Sequence, residues 1–344
     1  MALLLGIDTG GTYTDAVLFD DQQSRVIAKA KSLTTRHDLA IGISGAVTRV
    51  VDAAQIDAKK IELVSLSTTL ATNALVEGQQ RRIGLVMIGF TDSDIQRQGL
   101  ASALGNDPMV RLAGGHHVTG DEAAPLDLAA LDHWLQDVGK SVTGYAVAGY
   151  FSTRNPEHEI RVRDHIRART RLPVTCSHEL TSQLDGPRRA LTCVLNARLI
   201  PLIDGLIGAT ARFLEAHQIS APVMVVRGDG ALIAANVARE RPIETILSGP
   251  AATLVGAAFL TGSQDALVSD IGGTTTDIAV MKKGAPRLDP LGARVGPYQT
   301  MVQAVAMRTI GLGGDSEVRW IEEGMRVTLE LGPRRAMPVS LLAV

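Results

Sequence analysis

The sequence is poor in several residue types and patterns, and each shortage excludes something. Two cysteines, Cys176 and Cys193, occur in 344 residues, which excludes a disulfide scaffold and, with no signal-peptide pattern, points to the cytoplasm. Aromatic residues make up 3%. No apolar run approaches the roughly 20 residues of a membrane span, and the longest candidate, Ala251 to Leu260, is too short. Neither charge dominates: 34 Lys+Arg against 36 Asp+Glu leave a net charge of −2. A nucleic-acid partner, which needs a clustered basic surface, is therefore not expected. The familiar phosphate loops are missing too. Gly139-Lys140-Ser141 has Trp134 where a P-loop needs its first glycine, and no G-x-G-x-x-G follows a strand.

What is present is glycine, 34 residues of it, in a chain that is 45% hydrophobic and 20% charged. That balance suits an α/β enzyme that brings backbone close to phosphates, and the length suggests two domains. One internal repeat outranks every other feature. Residues 8–15 read Asp-Thr-Gly-Gly-Thr-Tyr-Thr-Asp and residues 270–277 read Asp-Ile-Gly-Gly-Thr-Thr-Thr-Asp. Each octet lies between two short apolar runs, the pattern of a β-hairpin with a Gly-Gly turn. Glycine pairs present backbone N–H groups to an anion without Cβ obstruction, and threonine hydroxyls add donors. An aspartate at a strand end can hold hydrated Mg2+. Two such hairpins facing each other would clamp a Mg–nucleotide triphosphate from both sides.

The rest of the chain alternates. A third strand is expected at 24–31, then a helix capped by Asp38 and running to about Ala54. Further strands are expected at 61–66, 83–88, 143–150, 173–177 and 222–226. Helices are expected near 67–76, 127–139, 156–170 and 251–260, with a long one from Pro187 to about Gln218 that Pro201 kinks or divides. Residues 89–125 read as irregular, and the tail from Glu317 to Leu331 as short strands.

These segments resemble a known family. The paired hairpins resemble the phosphate loops of the actin/Hsp70/sugar-kinase superfamily. More closely, the chain resembles the A subunit of the hydantoinase/5-oxoprolinase family. The resemblance rests on 6–15, Ser67-Thr68-Thr69-Leu70-Ala71-Thr72-Asn73-Ala74-Leu75, Ser177-His178-Glu179-Leu180, 196–201, Ser248-Gly249-Pro250-Ala251 and 270–277, in the family's order over nearly the whole chain. It implies an α/β fold of two ribonuclease-H-like (actin-like ATPase) domains, residues 1–185 and 186–344, with a nucleotide cleft between them. It also implies ATP-dependent opening of a cyclic amide such as a hydantoin or 5-oxoproline. Related subunits serve ketone carboxylases, and some members act with a B-type subunit, so a homo- or hetero-oligomer is expected. Family members continue beyond this length, which suggests a form truncated at the C-terminus. A non-catalytic, nucleotide-dependent scaffold is the alternative outside enzymes.

On this reading Asp8 and Asp270 hold Mg2+, and Thr9, Gly10, Gly11, Thr12, Gly272, Gly273, Thr274 and Thr275 cradle phosphates. Asp277 supports the second hairpin or orients an attacking water. Gly313 and Gly314 form either a turn beside the adenosine or a plain surface turn. Thr68, Thr69 and Asn73 either cap a helix or wall a substrate site. Asp229 follows a strand, where α/β proteins place functional loops, although a tight turn explains it equally. His178 is a candidate base against a surface pair with Glu179. Adjacent His116 and His117 are poorly disposed to share one metal, and Cys193 reads as core.

Overall fold

The computed structural model describes residues 2–35, 38–76, 81–138, 141–273, 275–324 and 326–337. It is an α/β fold. In chain order the first strands are β1 (Leu3–Thr9), β2 (Tyr13–Asp20), β3 (Arg25–Leu33), β4 (Ile61–Thr68), β5 (Gly84–Ile88), β6 (Met109–Leu112), β7 (Tyr145–Gly149) and β8 (Val174–Cys176). They continue with β9 (Val223–Val226), β10 (Leu232–Ala234), β11 (Ala266–Ile271), β12 (Thr276–Lys282), β13 (Ala285–Pro286), β14 (Arg294–Val295), β15 (Tyr298–Gln299), β16 (Met307–Ile310), β17 (Ser316–Glu323) and β18 (Arg326–Arg335).

The first sheet has the order β10-β9-β4-β1-β2-β3. In β1, Leu3, Leu5, Ile7 and Thr9 are buried and alternate with less buried residues, as a strand with one fully covered face requires. The helix Leu39–Ala54 buries Ile43, Ala46, Val47 and Val50, spaced for one helical face, and Asp38 caps it by accepting from the N–H of Ala40. The second sheet is parallel, in the order β6-β5-β7-β8. Its central strands β5 and β7 are buried along their whole length, because both faces are covered. Leu85, Met87, Ala146 and Ala148 face the core shared with the first sheet. Val86, Ile88 and Val147 face the helices Leu128–Val138 and Glu157–Thr170.

Between the two sheets runs the 31-residue helix Gly186–Ala216, with Pro201 inside it. Pro201 does not divide the helix. By length and composition this helix could cross a membrane, which corrects the expectation that no segment reaches that length. Its apolar surface packs against both sheets: Leu191, Val194 and Leu195 belong to the same core as Leu5, Leu66 and Met87. The expected boundary at 185/186 coincides with the start of this helix, and the first sheet takes β1–β4 from one side of it and β9–β10 from the other.

The third sheet pairs β11 with β12, and β12 in turn with β13 and β16. Among the described residues β11 has one partner only. Leu267 and Ile271 on it are 71% and 70% exposed. Their counterparts in the first repeat, Leu5 and Thr9, are fully buried, and Leu5 shares a core with Ile43 and Val47 of the helix Leu39–Ala54. Two local expectations are corrected. The stretch 89–125 is not wholly irregular: it holds the helices Asp92–Ile95 and Leu100–Leu104 and the strand β6. The tail is one long hairpin, β17–β18, rather than several short strands.

Candidate nucleotide and substrate cleft

The two octets fold identically in register. Asp8 stands opposite Asp15 across β1–β2, and Asp270 opposite Asp277 across β11–β12. The turn bond is repeated: the N–H of Gly10 donates to Tyr13 O at 2.9 Å, and that of Gly272 to Thr275 O at 2.9 Å. The second aspartate of each hairpin is held from the next strand. Lys31 Nζ lies 3.2 Å from Asp15, and the Thr309 hydroxyl donates to Asp277 Oδ1 at 2.6 Å. Both holders sit directly opposite in register, on β3 and β16. A Cβ at Gly10 or Gly272 would press on the turn carbonyl at 3.0 and 3.2 Å, whereas one at Gly273 would meet nothing within 4 Å. The first glycine of each pair is therefore a packing requirement, and Gly273 faces open space.

Asp8 is electrostatically perturbed. Burial pushes its carboxyl above the ordinary range, and the hydrogen bond from Ser67 (Oγ to Oδ1, 2.7 Å) opposes this. The negative charges of Asp15 and Asp270 add to the rise. Asp270 therefore lies near enough for its charge to be felt at Asp8. Among the described residues, Thr9 Oγ1 is buried without a hydrogen-bond partner.

A second junction ties the first hairpin to the helix Ser248–Thr261. The Thr68 N–H donates to Ser248 Oγ (3.2 Å), and Ser248 Oγ donates to Thr68 O (2.9 Å). Thr68 Oγ1 donates to Thr9 O and accepts from the N–H of Leu70. Its hydroxyl is thus engaged inside the fold, where the fully buried Thr68 positions the helix Leu70–Val76. Thr69 and Asn73 do line a cavity. It measures about 790 Å3 and is shared with Pro250, Thr275, Asp277, Arg294, Arg308 and Thr309, a size suited to a small-molecule site. Sequence reasoning read Ser67 only as one of the polar cluster at the helix start and Ser248 only as part of the resemblance, and missed Arg294 and Arg308 as site residues.

The glycine turn at 311–314 docks on the second hairpin. The N–H groups of Gly314 and Asp315 donate to the carbonyls of Gly272 (3.0 Å) and Gly273 (2.8 Å). Gly313 donates to Ser316 Oγ. Thr274, expected to cradle phosphate, lies outside the described residues. Asp229 sits in a tight turn, accepting from the N–H of Ala231 and pairing with Arg227 at 3.1 Å.

His178 lies in another neighbourhood, at the carboxyl end of β8. Its Nδ1 is 2.5 Å from Glu159 Oε2. Glu159, fully buried, also accepts from the N–H groups of Gly149 and His178 and from Ser177 Oγ. Burial alone would raise the Glu159 carboxyl, but these hydrogen bonds and the charge of His178 prevail and hold it below its ordinary range. Cys176 is close enough to complete a three-ligand set with Glu159 and His178. The hydrogen bonds already occupy Glu159, and burial pushes the Cys176 thiol well up, so the set does not suit a metal. His116 is buried with its ring tilted by 43° against that of His158, 4.3 Å between centroids, whereas His117 is exposed. Cys193 is core, as expected.

The cleft fits a metal–nucleotide in its chemistry. Asp8 and Asp270 offer hard oxygen donors whose mutual repulsion a divalent cation would relieve. The orphaned Thr9 hydroxyl and the open space at Gly273 are the features expected of an anion cradle.

Comparison with known proteins agrees with this geometry. The hydantoinase/oxoprolinase N-terminal region matches residues 4–170, and the hydantoinase/oxoprolinase domain matches residues 189–341. The chain is 32% identical to caprolactamase subunit alpha of Pseudomonas jessenii, over 96% of this chain and 50% of that one. It is 29% identical to the acetophenone carboxylase gamma subunit of Aromatoleum aromaticum, over 96% and 49%. The crystal structure of the ATP-dependent caprolactamase from Pseudomonas jessenii superposes with a TM-score of 0.78 at 29% identity, covering 97% of this chain and 51% of that one. The chain thus spans about half the length of these relatives. It belongs to the hydantoinase/oxoprolinase family.

Proposed function

We propose that this chain is the nucleotide-binding part of an ATP-dependent enzyme that opens a cyclic amide, with actin-like halves closing on ATP. The observation that carries the reading is the pair Asp8 and Asp270, presented by two equivalent hairpins and electrostatically coupled across the cleft. Mg2+, held through these carboxylates, would neutralise phosphate charge. Backbone N–H groups at Gly11 and Gly273, in turns that the Gly10 and Gly272 N–H groups close, bind the phosphates of ATP together with Thr9, Thr12 and Thr275. Gly313 and Gly314 brace the second hairpin. The γ-phosphoryl group passes to the amide oxygen of the ring, and water attacks the activated carbon. The C–N bond breaks as the nitrogen leaves with a proton to give an acyl phosphate, which a second water hydrolyses to the carboxylate and free phosphate. Phosphoryl transfer rests on positioning and charge neutralisation, which these residue types supply. Thr69, Asn73, Arg294 and Arg308 line the space for the acceptor. Asp277 lines it as well, placed to orient water.

The names of two relatives support opposite endings. One is a caprolactamase subunit, which favours water as the nucleophile; the other is a carboxylase subunit, which favours a ketone and bicarbonate. Both are subunits, which supports a hetero-oligomer with a B-type partner. The test is calorimetry of Mg–ATP binding, followed by ATP turnover with ε-caprolactam, 5-oxoproline, hydantoin or acetophenone, with and without bicarbonate. Binding lost in both Asp8→Ala and Asp270→Ala, and lactam-dependent turnover without bicarbonate, are expected. Turnover that requires ketone and bicarbonate would replace the amidase with the carboxylase. Binding that survives both substitutions would overturn the clamp.

A further inference from the structure

A second cavity, of about 390 Å3, opens beyond the carboxyl end of β7 at the start of the long helix. None of its lining residues lines the cleft. It lies outside the carboxyl ends of parallel strands, where open α/β sheets bind ligands.

Its charges are unusual. Arg189 is 2% exposed. Its guanidinium donates to Gly149 O (2.7 Å), Ser152 Oγ (3.3 Å) and Ser177 Oγ (3.3 Å), all neutral oxygens. Asp185, lining the same cavity, accepts only from neutral donors: Gln98 Nε2 at 2.8 Å and the Arg188 N–H at 3.4 Å. Among the described residues neither forms an ion pair. The other two charged lining residues, Asp94 and Arg97, pair with each other at 3.7 Å. Arg189 feels the charges of Glu159, to which Ser177 bridges it, and of Asp185. One cation and one anion on this cavity wall nevertheless lack a direct ion-pair partner among the described residues, and a ligand of opposite charge would supply one.

The backbone points the same way. Asp185 and Phe151, both lining residues, hold φ of 85° and 52°, a region that non-glycine residues rarely adopt and that concentrates at ligand sites. Tyr150 and Leu184 add exposed apolar surface to the wall.

We propose that this cavity binds a small zwitterion, an amino acid, with its carboxylate on Arg189 and its ammonium group on Asp185. A simple anion would meet Asp185, and a simple cation would meet Arg189; only a ligand carrying both charges satisfies the pair. Ring opening of a cyclic amide yields one new carboxylate and one freed ammonium group, so the reaction's own product belongs to this class. That last link rests on the proposed function, but the binding does not.

The test is calorimetry on the full chain without nucleotide. The probes are two isomeric amino acids, 6-aminohexanoate and L-norleucine, with hexanoate and hexylamine as single-charge controls. At least one amino acid is expected to bind tenfold or more tightly than either control. Asp185→Asn, which retains a side-chain oxygen for Gln98, is expected to weaken that binding at least tenfold without changing the melting temperature. Arg189→Gln is expected to abolish it, and Asp277→Asn in the cleft to leave it unchanged. No binding of either amino acid, equal binding of hexanoate, or an Asp185→Asn variant that binds like the parent would overturn the proposal. Loss of binding in Asp277→Asn would move the ligand to the cleft and overturn it too. Failure of the Mg–ATP experiment bears on none of these outcomes.

Discussion

Ser67 donates its hydroxyl to Asp8 across the parallel pair β4–β1, at 2.7 Å and in direct register. Asp270 lacks such a neighbour strand among the described residues, and the Thr253 hydroxyl reaches it at 3.3 Å from the helix beside it. The two equivalent aspartates are thus held unequally, and the first is the more constrained.

That constraint gives Asp8 a pH signature. Its carboxyl is raised by burial and by Asp15 and Asp270, so the folded state resists ionising it. The penalty is absent below the ordinary value near 3.8 and fully present above the raised one. Asp8→Asn should raise the melting temperature of the ligand-free chain at pH 7 by roughly 1–3 °C. The gain should vanish near pH 3.5, as measured by calorimetric scans across pH. Mg–ATP binding should be lost in the same variant.

The glycine pairs should respond differently to alanine. Gly273→Ala meets open space, so stability should stay within about 0.5 kcal/mol, while the new methyl obstructs the phosphate approach and weakens ATP binding at least tenfold. Gly10→Ala presses on Tyr13 O and should lower stability by about 1 kcal/mol or more. Urea denaturation beside ATP titration separates the two effects.

Ser248→Ala should destabilise the chain. Ser248 Oγ both accepts from and donates to the Thr68 backbone in a buried setting, and its removal leaves two backbone groups unsatisfied. The expected loss is about 1–3 kcal/mol. Equilibrium unfolding would read it, and a loss below the error of the method would show that water takes the place of the hydroxyl.

Glu159 has the opposite pH behaviour to Asp8. Its carboxyl is held below the ordinary value of 4.5, so its contribution is present above that value and is lost as pH falls through the folded one. Glu159→Gln should cost roughly 3 kcal/mol at pH 7, because an amide cannot accept from all of its donors. The gap between parent and variant should narrow below about pH 4.

Much of the cleft was legible in the sequence, because its defining octets are local: eight residues fix a strand end, a turn and a strand start. The contacts that complete it are not local. Ser67 is 59 residues from Asp8, and Ser248 is 180 from Thr68, so no spacing reveals them. Thr68 was identifiable as polar at a helix start, but only the fold shows that its hydroxyl is consumed by Thr9 and Leu70. Arg294 and Arg308 reach the cavity through pairing of β14 and β16 with their neighbours, and their local sequence carries no motif. Glu159 sits in a helix dense in charge, where nothing distinguishes the buried acid from its exposed neighbours. β6 escaped notice because four residues including Arg111 carry too little periodicity.

The long helix Gly186–Ala216 has one consequence for how the molecule comes apart. Its residues belong to the same core as strands of the first and second sheets, so neither sheet can lose its packing while the other keeps its own. The two sheets therefore melt as one cooperative unit. A heat-capacity trace should show a single peak for them, and slow-exchanging amides should appear in β1, β5, β7 and the helix together.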